Sequence, residues 1–384
     1  MTADGRHAEI AGGGISGMTL AAALAQQGWT VRVHERAEEL REIGAGITVW
    51  QNGLRALRRI GAADEAIERG EVITNWEVRD ERGRALQRDF LAGESAAGQF
   101  YGILRTDLHR AISRSAIEAG VEVVTSSAVA GATVDGELIL EDGTRYQADL
   151  VVGADGINGA VRESLGLTKE IVELGKGCAR HMIRRRPDDL QGVLLERMNG
   201  NRRLGFVPLR SGYIFMYTCC PVTDKVGMEE PLNVEAWSES FPEFAYMLDR
   251  IHIQQHFWPY REVRSKAWHL GKAAIVGDSA HAMSADFGQG ANLSMSSVVS
   301  LADALSAFPT LEEALNAWED SEREIIESVQ RYARWYGNVV AQWPGLFTAR
   351  SAFIWGLGKS GWLMKKLAGY ASHVPDYAPS EDVG

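Results

Sequence analysis

The sequence is poor in the residues that would cross-link it. Three cysteines, Cys178, Cys219 and Cys220, occur in 384 residues. That is too few for a disulfide framework, and they read as buried thiols, with adjacent Cys219–Cys220 as a redox pair the alternative. No Cys/His cluster has metal-ligand spacing, so no metal site is predicted. There is no basic excess: 40 Lys and Arg stand against 51 Asp and Glu, a formal net charge of −11, which argues against a nucleic-acid groove. No apolar run reaches the roughly 18 residues of a membrane span. The opening M-T-A-D-G-R-H has no apolar signal core, which predicts a cytoplasmic protein. Internal repeats and low-complexity segments are missing too. What remains is an ordinary globular composition with room for two domains.

The most informative stretch is Ala8–Arg36. A short apolar run enters G-x-G-x-x-G at Gly12, Gly14 and Gly17, with Ser16 inside the turn. A small-residue helix over Met18–Gln27 follows, then Gly28, then a β-branched strand Thr30–His34 that ends at Glu35 and Arg36. Gly12 permits the tight turn, Gly14 lets a pyrophosphate approach the backbone, and Gly17 lets the helix lie close to the sheet. The helix N-terminus offers free N–H groups and a positive dipole end to phosphate. Glu35 falls roughly 20 residues after the turn, where a carboxylate accepts ribose hydroxyls. The motif predicts a dinucleotide site without deciding between NAD and FAD.

Further along, the close glycines of Gly44–Ile47, with Gly46 and Ile47, suggest backbone passing near a ligand. Helices are expected at Asn52–Ile60 and Ala62–Arg69, strands at Val72–Arg79 and Ala85–Phe90, and a helix over Gly102–Ala119 that carries Arg105. A hairpin is expected around Glu141-Asp142-Gly143. The buried strand Leu150–Gly153 opens into G-A-D-G with Asp155. From Ile171 to about Lys266, short apolar or alternating runs predict a second, strand-rich region, with helical segments at Leu232–Phe244 and Phe244–His252. Lys272–Val276 then leads to Gly277-Asp278 and to G-Q-G-A-N at Gly288–Asn292, before a helix Leu293–Leu305 and another over Pro309–Tyr336. The tail from Val339 is rich in aromatics, including Trp343, Phe347, Phe353, Trp355 and Trp362, followed by Lys365 and Lys366. It reads as an element packed across the flavin domain or a dimer partner, with a membrane-surface helix as the alternative.

Together, G-G-G-I-S-G with Glu35-Arg36, G-A-D-G, and Gly277-Asp278 with G-Q-G-A-N resemble the class A FAD-dependent aromatic monooxygenases of the para-hydroxybenzoate hydroxylase type. The resemblance covers Ala8 to about Tyr336. It implies an α/β fold: a Rossmann-like FAD-binding domain of the glutathione-reductase type, an inserted strand-rich substrate domain, and C-terminal helices. The implied boundaries are 1–71, 101–170 and 266–338 for FAD, 72–100 and 171–265 for substrate, and 339–384 for the tail. A-E-I-A-G-G-G, V-H-E-R, G-A-G-I and W-Q-N-G-L-R-A-L look closer still to the oxygenases of 2-methyl-3-hydroxypyridine-5-carboxylate and 5-hydroxynicotinate.

The resemblance also assigns roles. Gly12, Gly14, Ser16 and Gly17 would hold the FAD pyrophosphate, Glu35 the ribose, and Arg36 the adenine side. Arg105 would meet the diphosphate–ribityl region, Asp155 both FAD and the nicotinamide nucleotide, and Asp278 the ribityl chain. Gly288, Gly290, Ala291 and Asn292 would run under the flavin pyrimidine ring. NADH or NADPH would dock transiently. The implied chemistry is oxygen transfer from a flavin C4a-hydroperoxide to a small hydroxylated N-heteroaromatic carboxylate, with ring opening. Arg203 and Arg180 are the carboxylate candidates, since guanidinium matches carboxylate, and Tyr217 a polariser of the ring hydroxyl. Thr48 stands where a histidine base is found in some relatives, with Gln51 as a substitute hydrogen-bond partner, and Ala285-Asp286-Phe287 stands where many have proline. The alternatives are single hydroxylation of a hydroxynicotinate or hydroxybenzoate, and a nucleotide-binding scaffold without turnover. A homodimer is left open.

Overall fold

A computed structural model describes residues 5–40, 45–87, 100–360 and 369 of the chain. One sheet has six strands in the order His269–Leu270, Ala273–Ile275, Leu150–Gly153, His7–Ala11, Thr30–His34 and Glu122–Val124. All neighbours are parallel except the first pair. Leu150, Val151 and Val152 are fully buried, as expected of a parallel strand covered on both faces. Beside this sheet, helix Ile15–Gln26 packs between Arg105–Glu118 and Gly290–Ala307, and Leu311–Ala341 packs on Gly290–Ala307. An antiparallel meander, Val129–Ala132, Glu137–Leu140 and Arg145–Gln147, contributes Ala132, Leu138 and Leu140 to the same core.

The second large sheet is mostly antiparallel. Its axis is the 17-residue strand Thr168–Arg184. The first half of that strand pairs with Trp258–Ser265 and the second half with Tyr213–Pro221. Arg202–Leu209, Val193–Asn199, Asn75–Arg79 and Ala85–Gln87 continue the sheet outward, and Ile251–Gln254 forms its other edge. A small sheet of Gly46–Val49, Phe100–Leu104 and Glu71–Ile73 stands beside it, Gly102 lying close under Pro208 and Val207. The parallel and antiparallel architecture has the α/β form expected from the sequence.

Several elements depart from the sequence reading. The run Val72–Arg79 is not one strand: it breaks at Thr74, whose N–H donates to the Gly192 carbonyl, and its halves join different sheets. Gly102–Leu104 is strand rather than helix, because Gly46–Val49 and Glu71–Ile73 pair on both its sides. Ile251–His252 belongs to an edge strand, not a helix. Residues 88–90 of the expected second strand lie outside the described residues, as do Gly44, Trp362, Lys365 and Lys366. The tail helix Phe347–Ser360 packs on the strand-rich part: Arg350 is fully buried and pairs with Glu81, and Ile354 shares a core with Trp76 and Leu86.

Candidate active site

The carboxyl ends of the parallel strands open into a cavity of about 610 Å³, closed on its other side by the antiparallel sheet. This is where an open α/β sheet binds ligands. Gly12, Gly14, Ser16, Glu35, Arg36, Gly46, Ile47, Arg105, Asp155, Asp278, Gly288, Gly290 and Ala291 all line it. The three glycine corners, more than 100 residues apart in sequence, therefore meet around one space.

The first corner is held by exclusion of side chains. Gly12 has φ +105°, and a Cβ there would overlap the Ala154 carbonyl of the second corner. Gly17 does not reach the cavity; a Cβ on it would overlap the Gly12 carbonyl oxygen, so its smallness sets the helix-to-turn distance. Gly12→Ala is expected to cost about 1–3 kcal/mol in backbone strain and to strip the protein of flavin. The ratio of bound flavin to protein in the purified variant checks this.

Glu35 braces the same turn: its two carboxylate oxygens accept from Gly13 N–H and Ala37 N–H, each at 2.9 Å. Asp155 ties the second corner to the third, accepting from Ser279 Oγ at 2.8 Å and Val161 N–H at 3.0 Å. Asn292 does not line the cavity. Its amide accepts from Trp50 N–H and donates to the Thr48 and Gly288 carbonyls, all at 2.9 Å, so it stitches the Q-G turn to the strand Gly46–Val49. Gln51 is not a lining residue either; it opens the helix Gln51–Arg59.

These residues fit FAD. Helices Ile15–Gln26 and Gly290–Ala307 start with no side-chain cap and no acid in the first turn, which leaves first-turn N–H groups to a ligand. At Gly290 a Cβ would meet nothing nearer than Met283 at 3.8 Å, so space lies above that helix start.

The opposite wall carries the expected substrate residues, Arg180, Arg203 and Tyr217, among Trp50, Trp76, Leu194, Val207, Phe215 and Phe287. Arg203 is buried and ion-paired inside the protein: Nη2 donates to Asp286 at 2.7 Å and Nη1 lies 3.5 Å from Glu196, while Nε and Nη1 make no hydrogen bond among the described residues. Lys176 takes the other Asp286 oxygen at 2.7 Å. Burial opposes ionisation of Asp286, but Lys176 and Arg203 outweigh it and hold its carboxyl below the usual range; burial also pulls Lys176 down. Tyr217 donates to Glu196 at 2.6 Å, and Trp76 Nε1 donates to the other Glu196 oxygen at 3.2 Å. Burial, then the Glu196 charge, push the Tyr217 phenol well above its ordinary value. The Arg180 guanidinium lines the cavity and makes no ion pair among the described residues. Glu196, Asp286 and Lys176 escaped the sequence reading. One signal was available: single charged residues inside the apolar runs V-L-L-E and A-D-F.

His281, beside the third corner, is buried against Trp268 with ring centroids 5.0 Å apart, and is not a lining residue. Burial pulls His281 and His181 down to about 4, from the usual 6.5. The unfolded chain takes up each proton near 6.5, the folded chain only near 4. Their contribution to stability is therefore full above 6.5 and is lost as pH falls toward 4, by about 1.4 kcal/mol per pH unit for each histidine. Thermal unfolding at about pH 7 and about pH 5 should show the drop, and His181→Gln or His281→Gln should flatten it. An unchanged slope in both variants contradicts the burial argument.

With this geometry in place, comparison with known proteins is informative. The sequence profile of the family described as FAD binding domain matches residues 7–332. The chain is 38% identical over 332 residues to a probable 2-heptyl-3-hydroxy-4(1H)-quinolone synthase of Rhodococcus erythropolis, covering 85% of this chain and 86% of that one. It is 37% identical over 330 residues to the 2-heptyl-3-hydroxy-4(1H)-quinolone synthase of Mycobacteroides abscessus, covering 84% and 88%. Among solved structures, the tetrameric form of 2-methyl-3-hydroxypyridine-5-carboxylic acid oxygenase superposes with a TM-score of 0.84 at 29% identity, covering 97% of this chain and 99% of that one. The curated relatives are thus named for quinolones, whereas the sequence motifs pointed to pyridine carboxylates. The chain belongs to the FAD binding domain family and is an FAD-dependent aromatic-ring monooxygenase, with NADH or NADPH as its reductant.

Proposed function

We propose that this enzyme adds one oxygen atom to an uncharged N-heteroaromatic ring with an apolar substituent, of the 4-quinolone kind. One observation carries the reading: the buried arginine in the substrate wall is already neutralised. Arg203 and Lys176 balance Asp286 and Glu196, charge for charge. A substrate carboxylate placed beside Arg203 would be a third buried anion set against those two cations, at a cost of several kcal/mol. The surrounding indole, phenyl and aliphatic walls suit an apolar ring instead. The two quinolone synthases similar to this chain support the same class.

When bound, FAD supplies reduction by the nicotinamide nucleotide and activation of O2. The lining residues of the three glycine corners hold it. On the substrate side, the Tyr217 oxygen accepts a hydrogen bond from the ring N–H or O–H while its own O–H donates to Glu196. That raises electron density on the ring, which an electrophilic oxygen requires. The apolar walls keep water from the reacting groups, and water would divert oxygen to hydrogen peroxide.

A second reading keeps the hydroxypyridine carboxylate and ring opening expected from the motifs. It is favoured by Arg180, whose guanidinium is unpaired among the described residues, and by the likeness to the hydroxypyridine oxygenase. Incubating the flavin-loaded enzyme with NADH, O2 and a panel of 2-alkyl-4-quinolones and hydroxypyridine carboxylates separates the two. The first reading expects faster NADH oxidation and one added oxygen on an intact quinolone ring. An acyclic product carrying two oxygens, formed only from the carboxylates, overturns it.

A further inference from the structure

Two of the three cysteines occupy a position that the oxygenation chemistry leaves unused. Cys178 and Cys219 are register partners on the antiparallel strands Thr168–Arg184 and Tyr213–Pro221. The hydrogen-bond phase of that ladder can be read directly. Val222 N–H donates to the Gly175 carbonyl at 3.0 Å, so the enclosed pair Lys176/Pro221 exchanges no backbone bonds with itself. Proline, with no N–H, could not do otherwise. The phase repeats every two residues, which makes Cys178/Cys219 a non-hydrogen-bonded pair too. Such pairs bring Cα atoms to roughly 4.5 Å, within the roughly 4.4–6.8 Å that a disulfide spans.

The surroundings suit oxidation. Cys178 lines the active-site cavity. Cys219 stands behind it, 3.7 Å from Arg203 Nη2 and 4.0 Å from the Tyr260 hydroxyl. The hydrogen bond from Cys178, against burial and with help from Arg203, brings the Cys219 thiol down to about 7, so a thiolate is accessible near neutral pH. Burial pushes Cys178 up. Cys220, one residue on, points to the other face of the sheet, into the core with Ile214, Met216 and Trp237, and burial pushes it up to about 12.

We propose that Cys178 and Cys219 are a peroxide-oxidisable dithiol in the wall of the active site, and that their disulfide slows oxygenation. The oxidant is hydrogen peroxide, which the enzyme itself releases into this cavity when O2 is reduced without a ring to accept oxygen. One thiolate sulfur attacks a peroxide oxygen, the O–O bond breaks, and hydroxide leaves and is protonated to water. The second thiol attacks the sulfur of the resulting sulfenic acid, the S–S bond forms as the S–O bond breaks, and hydroxide leaves with the thiol proton as a second water. Two thiols and one peroxide give one disulfide and two waters. Drawing the Cys219 sulfur toward Cys178 takes it from Arg203 and Tyr260, both of which line the cavity. The proposal does not depend on which ring is the substrate.

The test uses the flavin-loaded enzyme, first reduced with dithiothreitol and desalted, then exposed to stoichiometric hydrogen peroxide without NADH. Non-reducing peptide mapping should find Cys178 joined to Cys219 with loss of two hydrogen atoms. Substrate-dependent oxygen incorporation should fall on the order of tenfold, as displaced pocket groups can cause, and dithiothreitol should restore it. Cys178→Ser and Cys219→Ser, each made separately so that misfolding of one leaves the other, should resist the loss; Cys220→Ser should lose activity like the parent. Oxidation that stops at a sulfinic acid, a link through Cys220, or a joined pair with undiminished oxygenation would each overturn the proposal.

Discussion

Arg203→Ala will destabilise the folded protein by about 3–5 kcal/mol, the usual cost of removing one partner from a buried ion pair. The substitution leaves Asp286 and Glu196, both buried, with Lys176 as the remaining cation of the group. It also opens space beside Tyr217, over whose ring the guanidinium stands at 5.9 Å. Denaturant unfolding of the flavin-loaded protein measures the difference. The effect has a pH signature. Lys176 and Arg203 depress the Asp286 carboxyl in the folded state, so their stabilisation is complete above the ordinary carboxylate range. It is lost as pH falls through that range toward the depressed value. The gap between parent and variant will therefore narrow in acid. Arg203→Lys, which keeps the charge, will cost less. A change under about 1 kcal/mol for Arg203→Ala would mean that the pair is not buried as described.

Tyr217→Phe will lower the rate of oxygen insertion on the order of tenfold, the worth of one hydrogen bond to the ring. NADH oxidation will continue, because the residue lies in the substrate wall and not at the glycine corners. The lost oxygenation will appear as hydrogen peroxide, so the ratio of hydroxylated product to NADH consumed is the measurement. Glu196→Gln keeps an acceptor for the 2.6 Å bond from Tyr217 but removes the charge toward which its O–H points. It should move the same ratio in the same direction and shift its pH dependence. Unchanged coupling in both variants would remove the pair from the reaction.

The two halves of the cavity differ in how far they could be read from sequence. That Gly12, Gly14 and Glu35 share one cavity was legible because the features that mark them are local: a turn, an uncapped helix start, and an acid at a set distance along one βαβ unit. Asp155 and Asp278 were legible for the same reason, each following a buried strand at a glycine corner. The substrate wall is assembled across the sheet instead. Arg203 meets Asp286 from 83 residues away, and Tyr217 meets Glu196 from 21. No periodicity marks a guanidinium as already neutralised, so Arg203 read as a free carboxylate ligand. Asn292 lay in a recognisable turn, yet its side chain faces inward to three backbone groups, two at Thr48 and Trp50 and one in its own turn.

Short-range chemistry written into the chain was thus enough to mark the three glycine corners and a dinucleotide site, each within one turn, one strand or one helix start; FAD followed from the resemblance that the three motifs carry together. The character of the substrate chamber was decided only by tertiary structure. Whether a buried cation is available, which thiols face each other and where a proton can rest are properties of pairs, and long-range packing chooses the pairs.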